Sequence, residues 1–526
     1  MSKRAAESLE EGRVTAQKTS AEDTAGDMAI DSTTADAEMG EFEDPYGDDF
    51  ESEDEIFEAG DDDEEEDEEG DMEVEANTSA NLESIQEDEE TPAPSAKAKP
   101  AKQTPQIYLP HKSAPLGPDE IMEPDPTTYH MLHSFNVKWP CLSFDIIEDS
   151  LGDERRGYPQ TTYLVTGTQA QKAKDNEISV MKLSSLCKTL VKDDDEEDDE
   201  DDDNDEDSDP ILESKSLPTQ YTTNRIRINP HAKKTGEYLT ASMSESGDVY
   251  VWDISPHLRA LDTPGTTITK QMNRPVHTIQ VHGRVEGYAL DWSPLLQTGA
   301  LLTGDISGRI HLTSRTQSGW VSDRTPYISH GGSVEEIQWS RSEKSVFASG
   351  GTDGLVKIWD TRSKQHKPAI SVKATNTDIN VMSWNANVSY LLATGHDDGQ
   401  WGVWDLRSFK PAAKGATAST PTPVASFDFH KSPITSIEFH PSEESIVAVG
   451  CEDNTVTLWD LSVEADDEEI KAQEKAAGGE LDDIPSQLLF VHWQRNAKEV
   501  HWNKQIPGNL VSTGSDGFSL WKTISV

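Results

Sequence analysis

Histidine and aspartate recur along this chain in a pairing that a hydrolytic enzyme would use only once. With a neighbouring serine or threonine, a His–Asp pair is the arrangement that activates the nucleophile of a catalytic triad. An enzyme has one such site, whereas here the pair is repeated, so we predict a structural role for the pairs and no enzymatic activity. The four pairs are His282 with Asp305, His330 with Asp353, His430 with Asp453, and His492 with Asp516.

Other residues that carry chemistry are sparse. The sequence contains no P-loop, no nucleophile elbow and no cluster at metal-ligand spacing. Its three cysteines, Cys141, Cys187 and Cys451, form no CxxC pair and are predicted to be buried thiols of a protein from a reducing compartment. The polar stretch His396–Asp398 falls in a predicted turn. We therefore expect no metal and no cofactor.

The elements that position the His–Asp pairs are repeated as well. An aromatic residue ends an alternating segment, and a second large apolar residue follows at a nearly constant separation. Between the two lies a small-residue strand with a tight turn, such as ASGGTDG at 348–354. The first set is Trp292, Trp339, Trp384, Phe439 and Trp502, and the second is Leu312, Trp359, Trp404, Trp459 and Trp521.

This pattern resembles the WD-repeat family of β-propellers, in which each unit supplies about four strands and packs on its neighbours. The fold class predicted is all-β, a seven-bladed propeller with units at 138–190, 221–255, 277–315, 328–363, 373–408, 428–463 and 488–526. The resemblance implies a hydrogen-bond network inside the blades, which the fifth unit, with Thr377-Asp378 in place of the histidine, is expected to lack. The implied network residues are His282, Asp305, His330, Asp353, Trp359, His430, Asp453, Trp459, Asp516 and Trp521.

The charge of the chain is strongly negative and unevenly distributed. It has 99 acidic and 45 basic residues, for a formal charge of −54. Residues 1–106 are rich in acidic and small residues, and 15 of the 17 residues in Asp193–Asp209 are acidic. Such a chain repels nucleic-acid phosphates and attracts strongly basic proteins. No apolar run reaches the length of a membrane span, so we expect neither a membrane nor a sequence-specific nucleic acid as a partner.

These compositional shifts predict the domain organisation. Residues 1–106 form a disordered acidic region, and 107–137 form an N-terminal extension. Within the extension, Asp125-Pro126 is typical of a helix start, and we expect a short helix over about 126–136. The propeller occupies 138–526, with an acidic disordered insertion at 192–210 between the first two blades and an acidic loop at 463–486.

A closer resemblance concerns the start of the folded part. The segments YHMLHSFNVKWPCLSFDII and TTYLVTGTQ are similar to the N-terminal region of the histone-binding WD-repeat proteins of chromatin assembly complexes. QIYLP, GYALDWSP, LLTGD, QLLFVH and the terminal TISV, together with the acidic insertion, resemble the glutamate-rich WD-repeat branch, which assembles ribosomes. This resemblance covers about residues 105–526.

The resemblance implies a monomeric, nuclear and nucleolar chaperone that shuttles from the cytoplasm. Its client would be a basic ribosomal protein of the large subunit, uL-three, delivered to pre-60S particles. Two alternatives remain open. One is a histone-binding chaperone or chromatin assembly subunit. The other is a substrate receptor of a cullin ubiquitin ligase, suggested by the motifs at 359–362 and 404–407, although Arg362 and Arg407 suit local carboxylate pairs better.

Histone-binding relatives use a groove between the N-terminal helix and the propeller rim, closed by a loop. By this resemblance, Tyr129, Leu132 and Phe135 would contact the client, although they equally suit plain packing on the blade. The axial face of the propeller is the other candidate surface. The acidic residues assigned to the client are Asp193, Asp194, Asp195, Glu196, Glu197, Asp198, Asp199, Glu200, Asp201, Asp202 and Asp203.

Overall fold

The computed structural model describes residues 109, 113, 122, 124–189, 209–411, 418–464 and 484–526. All of them belong to the compact unit Lys99–Val526. The predicted acidic region 1–106, the run Asp193–Asp203 and most of the 463–486 loop lie outside the described residues. Among the described residues, no helix combines the length and apolar composition that crossing a bilayer requires.

Seven antiparallel sheets form the described part of the chain, which confirms the seven-bladed propeller. An early strand, β1 (Tyr129–Phe135), precedes the first complete blade. Blade 1 consists of β2 (Cys141–Ile147), β3 (Gln160–Thr168), β4 (Glu177–Leu186) and β5 (Ile211–Pro218). Blade 2 consists of β6 (Thr223–Ile228), β7 (Leu239–Ser244), β8 (Val249–Asp253) and β9 (His277–Ile279). Blade 3 consists of β10 (Ala289–Trp292), β11 (Ala300–Gly304), β12 (Arg309–Thr316), β13 (Gly319–Ser322) and β14 (Tyr327–Ile328).

The remaining blades repeat the four-stranded plan. Blade 4 consists of β15 (Val334–Trp339), β16 (Val346–Gly351), β17 (Leu355–Asp360) and β18 (Ile370–Lys373). Blade 5 consists of β19 (Ile379–Trp384), β20 (Leu391–His396), β21 (Trp401–Asp405) and β22 (Ala425–Phe427). Blade 6 consists of β23 (Ile434–Phe439), β24 (Ile446–Cys451), β25 (Thr455–Asp460) and β26 (Leu488–Trp493). Blade 7 contains β27 (Glu499–Trp502), β28 (Leu510–Gly514) and β29 (Gly517–Thr523).

Helices are few and short in this part of the chain. The α-helices are α1 (Ala232–Thr235) and α2 (Ser255–Asp262), which lie in loops of blade 2. Single 3-10 turns occur at Pro126–Thr128, Ala173–Asp175 and Leu406–Ser408.

Strand β1 closes the ring. It pairs antiparallel with the C-terminal strand β29, with Leu132 opposite Trp521 and Phe135 opposite Phe518, and so supplies the fourth strand of blade 7. The helix predicted over 126–136 is therefore wrong beyond its first turn. The open edge of β29 offers backbone donors and acceptors that a strand satisfies and a helix does not.

The sequence units do not coincide with the blades of the structure. The unit predicted at 277–315 begins with β9, which is the outermost strand of blade 2 and pairs with β8. The unit at 488–526 likewise begins with β26, the outer strand of blade 6, whereas the units at 328, 373 and 428 begin at or just after the last residue of the preceding outer strand. No predicted unit therefore coincides with a complete blade, which explains why no unit can bury its faces alone.

The glycine in the small-residue strand motif allows neighbouring blades to pack closely. A Cβ atom on Gly350 would lie 2.8 Å from Cγ2 of Ile379 in the next blade. A Cβ atom on Gly395 would lie 2.5 Å from Cγ2 of Ile434 and 2.8 Å from Cγ2 of Val381. These distances leave no room for a side chain in the second strand.

We therefore expect Gly395→Ala to destabilise the fold. Overpacking a dense core costs about 1–3 kcal/mol, because neighbouring side chains leave their preferred rotamers. The control is Gly157→Ala, since a Cβ atom there would have nothing within 4 Å. Urea titration of both variants measures the difference, and an equal midpoint for the two would show that the blade contact tolerates a methyl group.

A buried ionic network joins the inner strands of several blades around the central channel. The carboxylate of Glu499 in blade 7 accepts from Arg225 Nη1 at 2.9 Å, from Arg227 Nη2 at 2.6 Å and from the backbone N–H of Phe144 at 2.8 Å. Burial opposes ionisation of Glu499, but the charges of Arg227, His501 and Arg225 outweigh it and hold the pKa of Glu499 well below its usual range. One carboxylate thus couples blades 1, 2 and 7.

Candidate functional site

Three of the four His–Asp pairs form inside their blades. His282 Nδ1 lies 2.8 Å from Asp305 Oδ2 and its Nε2 lies 2.7 Å from Thr303 Oγ1. The His330 and His430 imidazoles lie 2.9 and 2.8 Å from Asp353 and Asp453 respectively. All three histidine side chains are 0% exposed. A substrate cannot reach these imidazoles, so the pairs link strands and loops within a blade.

The landmark tryptophans join the same networks. Trp359 Nε1 donates to Ser349 Oγ at 2.8 Å, and that oxygen also lies 2.7 Å from His330 Nε2. Trp459 Nε1 donates to Thr457 Oγ1 at 2.8 Å in blade 6. Trp521 Nε1 donates to Ser512 Oγ at 3.0 Å in blade 7.

The fourth pair, His492 with Asp516, does not form, and this prediction is wrong. His492 Nδ1 instead lies 2.9 Å from the hydroxyl of Tyr129, and its ring stacks on Trp521 with centroids 4.4 Å apart. The side chain of Asp516 is 55% exposed and lies 3.9 Å from Arg495. Strand β1 places the Tyr129 hydroxyl where the other blades have an aspartate carboxylate. Tyr129 reaches this position only because β1 pairs with β29 and closes the ring.

Blade 5 builds its network from a different histidine. No histidine stands at Thr377-Asp378, but His396 at the end of β20 places Nε2 2.9 Å from Thr394 Oγ1, which also accepts from Trp404 Nε1 at 2.8 Å. Burial lowers the pKa of His396 to about 4. The imidazole is therefore neutral and serves the fold.

An apolar groove runs along the outer edge between blades 6 and 7. It has a volume of about 570 Å³ and lies between β1 and β26. The C-terminal residues and the segment that leads into β1 form its ends. Because the groove is concave and mostly apolar, it is suited to bind a row of apolar side chains from a partner protein. Its apolar lining residues include Leu109, Met122, Pro124, Leu132, Ile484, Leu488, Leu489, Phe490, Val491, Phe518 and Ile524.

The three residues assigned to the client have different positions relative to this groove. Leu132 is half-buried and lines it. Tyr129 forms its floor, where its ring meets Phe490 edge-on at 5.2 Å and is almost fully buried. Phe135 does not line the groove; it packs in the core with Phe144 and neighbours from blade 7. Sequence spacing suggested one helical face, but strand geometry separates the three side chains.

The attachment points of the acidic segments lie close to the groove. The insertion at 192–210 connects β4 to β5, and its stem runs along β1: Thr189 N–H donates to the His130 carbonyl at 3.1 Å, and His133 Nε2 lies 2.9 Å from the Cys187 carbonyl. The loop at 463–486 connects β25 to β26 and contains Ile484, a groove residue. Blades 1 and 6 are the neighbours of blade 7, so the described ends of both acidic connections lie on either side of β1.

The rim of the groove carries side chains of both charges, including two carboxylates. Asp125 and Asp516 line it, with Arg495 near Asp516. Hydrogen bonds from Thr127 lower the pKa of Asp125. Burial lowers the pKa of His492 to about 3, so this imidazole adds no positive charge. The groove therefore presents an apolar floor beside anionic groups, an arrangement that suits a basic amphipathic segment.

Arg362 and Arg407 both pair with the aspartate of their own motif. Arg362 Nη2 lies 2.7 Å from Asp360 Oδ2, and Arg407 Nη2 lies 2.6 Å from Asp405 Oδ2. The Arg407 guanidinium also covers the ring of Tyr390 at 3.6 Å. Both arginines are exposed, so these local pairs do not test the ubiquitin-ligase hypothesis, which stays a prediction.

Comparison with known proteins gives two family matches. Residues 119–187 match the family of the histone-binding protein RBBP4, whose description also names a component of the CAF1 complex. Residues 323–360 and 421–460 match the family "WD domain, G-beta repeat". The first match spans β1 and most of blade 1, and therefore includes one wall of the groove.

Several curated proteins are similar over most of their length. The chain is 45% identical to the ribosome assembly protein rrb1 of Schizosaccharomyces pombe, over 100% of both chains. It is 44% identical to the protein HEAT STRESS TOLERANT DWD 1 of Arabidopsis thaliana, over 77% of this chain and 88% of the relative. It is 42% identical to glutamate-rich WD repeat-containing protein 1 of Dictyostelium discoideum, over 78% of this chain and 83% of the relative.

Proposed function

Because this chain belongs to the glutamate-rich WD-repeat family, which includes a ribosome assembly protein, we propose that it is a non-enzymatic chaperone of ribosome biogenesis. Its client is a basic protein of the large subunit, uL-three, which it holds and delivers to pre-60S particles. The work takes place in the nucleus and nucleolus. The observation that carries the proposal is the full-length similarity to a ribosome assembly protein.

The geometry of blade 7 supports this proposal. A free ribosomal protein is rich in Lys and Arg and lacks its RNA. The groove between β1 and β26 offers apolar contacts, while the two acidic connections on either side of β1 offer many carboxylates. A single exposed charge pair contributes only about 0.2–1 kcal/mol. Many pairs held beside one groove add up, because each tethered segment acts at a high effective concentration.

The same physics supplies a release step. Ribosomal RNA presents a dense row of phosphates and competes for the basic surface of the client. The acidic segments attract the client at long range and raise its association rate. Because ribosomal RNA has the higher charge density, it displaces the acidic segments from the client. The chaperone thus protects the client until RNA is present.

Affinity purification from a lysate that contains nascent chains tests the proposal. We expect uL-three to be enriched among the bound proteins, and depletion of the chain to make newly synthesised uL-three aggregate. If uL-three does not co-purify and stays equally soluble after depletion, the proposal fails.

Histone binding is a second candidate, favoured by the match of residues 119–187 to the histone-binding family. A histone would use the same groove and the same carboxylates. This alternative predicts saturable histone binding at physiological salt that survives competition by uL-three. Displacement of the histone by an equal concentration of uL-three would favour the ribosomal client.

The acidic insertion should contribute mainly by long-range attraction. Deleting Asp193–Asp209 is expected to weaken client binding more at about 50 mM than at about 500 mM salt, because the Debye length is about 10 Å at 0.1 M ionic strength. The matched control replaces the run by a neutral Gly/Ser linker of equal length and should behave like the deletion. If the deletion variant and the parent bind the client equally well at both salt concentrations, the insertion serves solubility and does not attract the client.

A further inference from the structure

Blades 4 and 5 carry opposite charge on the two faces of the propeller. Because the strands of a blade are antiparallel, the loops after its first and third strands emerge at one face and the loop after its second strand emerges at the other. At the first face, the loops 340–345 and 361–369 of blade 4 hold five Lys or Arg residues and one acidic residue, Glu343. At the second face, the turns 352–354 and 397–400 hold three acidic residues and no Lys or Arg. The sign of the charge is therefore reversed at the first face of blade 4.

Loops of the neighbouring blades extend this basic surface. His366 Nδ1, in the loop of blade 4, lies 2.8 Å from the carbonyl oxygen of Thr325 in blade 3, next to Arg324. On the other side, Ser419 Oγ donates to the Lys410 carbonyl at 2.7 Å, and Ser419 N–H donates to a carbonyl of β18 in blade 4 at 3.0 Å. The cations of this surface, which we call the basic face, are Arg324, Lys344, Lys364, Lys367 and Lys410.

The basic face is not neutralised within the described part of the chain. All of its cationic residues are exposed, and none forms an ion pair with a described carboxylate. Neighbouring carboxylates have other partners: Asp360 pairs with Arg362 at 2.7 Å, and Asp405 pairs with Arg407 at 2.6 Å. Asp323 faces an imidazole at 3.4 Å. A cluster of uncompensated cations attracts an anionic partner.

The composition of the basic face favours phosphates over a protein surface. The two loops of blade 4 contain no large apolar residue. Protein interfaces have an apolar core and are depleted of Lys, whereas sequence-independent binding of a nucleic acid needs only cations that face phosphates. The partner that fits is therefore a nucleic-acid backbone.

The acidic connections are attached far from the basic face. They emerge from blades 1 and 6, at least two blades away from blade 4. Packed sheets lie about 10 Å apart, so the attachment points are roughly 20 Å or more from blade 4, about twice the Debye length at 0.1 M ionic strength. The groove at blade 7 lies across the ring, so a partner on the basic face leaves the groove accessible.

We propose that the basic face binds the phosphate backbone of RNA without reading its sequence. The inference rests on the proposed function only in identifying this RNA as ribosomal. The chain then holds its client at blade 7 while blade 4 contacts the RNA. Delivery thus takes place on RNA that is already bound to the propeller.

Fluorescence anisotropy of a labelled oligouridylate with the purified full chain tests the proposal. The triple variant Lys344→Ala, Lys364→Ala and Lys367→Ala should bind about 100-fold more weakly at about 0.1 M salt, because each phosphate contact on a single strand releases about 0.7 counterions. For the same reason, the slope of log K against log salt should become shallower by about 2.

The matched control is the triple variant Lys138→Ala, Lys172→Ala and Lys174→Ala. These lysines are exposed, lie in loops at the second face, and change the net charge equally. We expect this variant to bind the oligouridylate like the parent. Equal losses in the two triple variants, or a parent chain that binds no oligouridylate at low salt, would overturn the proposal.

Two further measurements separate this inference from its neighbours. A polyglutamate peptide tests for an acidic protein as the partner: if it displaces the oligouridylate at an equal concentration of charges, the basic face does not select phosphates and the proposal fails. The basic-face variant should bind uL-three like the parent, and a loss of client affinity in this variant would contradict separate sites. A chain that binds the oligouridylate but not uL-three would refute the proposed chaperone function and leave the basic face intact.

Discussion

Glu499→Ala is expected to lower the stability of the propeller by about 3–5 kcal/mol, the cost of removing one partner from a buried ion pair. The substitution leaves Arg225 and Arg227 without their shared carboxylate, and both guanidiniums are largely buried. It also removes the acceptor of the Phe144 N–H. Urea unfolding followed by tryptophan fluorescence gives the change directly.

The matched control for this prediction is an exposed ion pair. Glu237 pairs with Arg315 at the surface, where side chains of both residues are more than a third exposed. Glu237→Ala should change stability by no more than about 1 kcal/mol, since exposed pairs are solvated and screened. Similar losses for the two variants would contradict a special role of the channel network in coupling the blades.

Ile524→Lys is expected to weaken client binding by about 30-fold, the effect of losing an apolar contact of about 2 kcal/mol. Ile524 lines the groove and is 57% exposed, so the substitution should not disturb folding. It places a cation where we propose that a basic segment binds. Equilibrium binding of labelled uL-three to the purified variant measures the change.

Ile328→Lys is the control, since Ile328 has the same residue type and nearly the same exposure, 55%, but lies on the outer edge of blade 3. It changes the net charge equally. We expect its client affinity to match that of the parent. Equal losses for the two variants would mean that net charge alone governs binding and that the groove has no specific role.

The repeat architecture could be predicted because it is local and periodic. Landmark aromatic residues and small-residue turns recur with each unit, and this periodicity predicted seven blades, which the structure confirms. The pairs of His282, His330 and His430 with their aspartates follow the same period. The exception is His492, which contacts Tyr129, a residue 363 positions earlier in the chain. No local pattern contains that information.

The helix predicted at 126–136 shows why short apolar patterns are ambiguous. Tyr129, Leu132 and Phe135 fit helical spacing, but Tyr129, Met131 and Phe135 also fit the alternation of a strand, and these three are the buried residues of β1. The edge of β29, nearly four hundred residues away, decides between the two. Tertiary pairing of this kind overrides local preference.

The candidate groove was beyond sequence reasoning for a related reason. The groove joins the first strand, the outer strand of blade 6 and the C-terminal residues, which meet only when the ring closes.

The most direct test of the account is equilibrium binding of the purified full chain to purified uL-three and to a neutral protein of similar size. The account predicts saturable binding of uL-three at physiological salt, a steep loss of affinity with rising salt, and release by ribosomal RNA fragments. Equal binding of the two proteins, or a uL-three complex that RNA cannot displace, would contradict it.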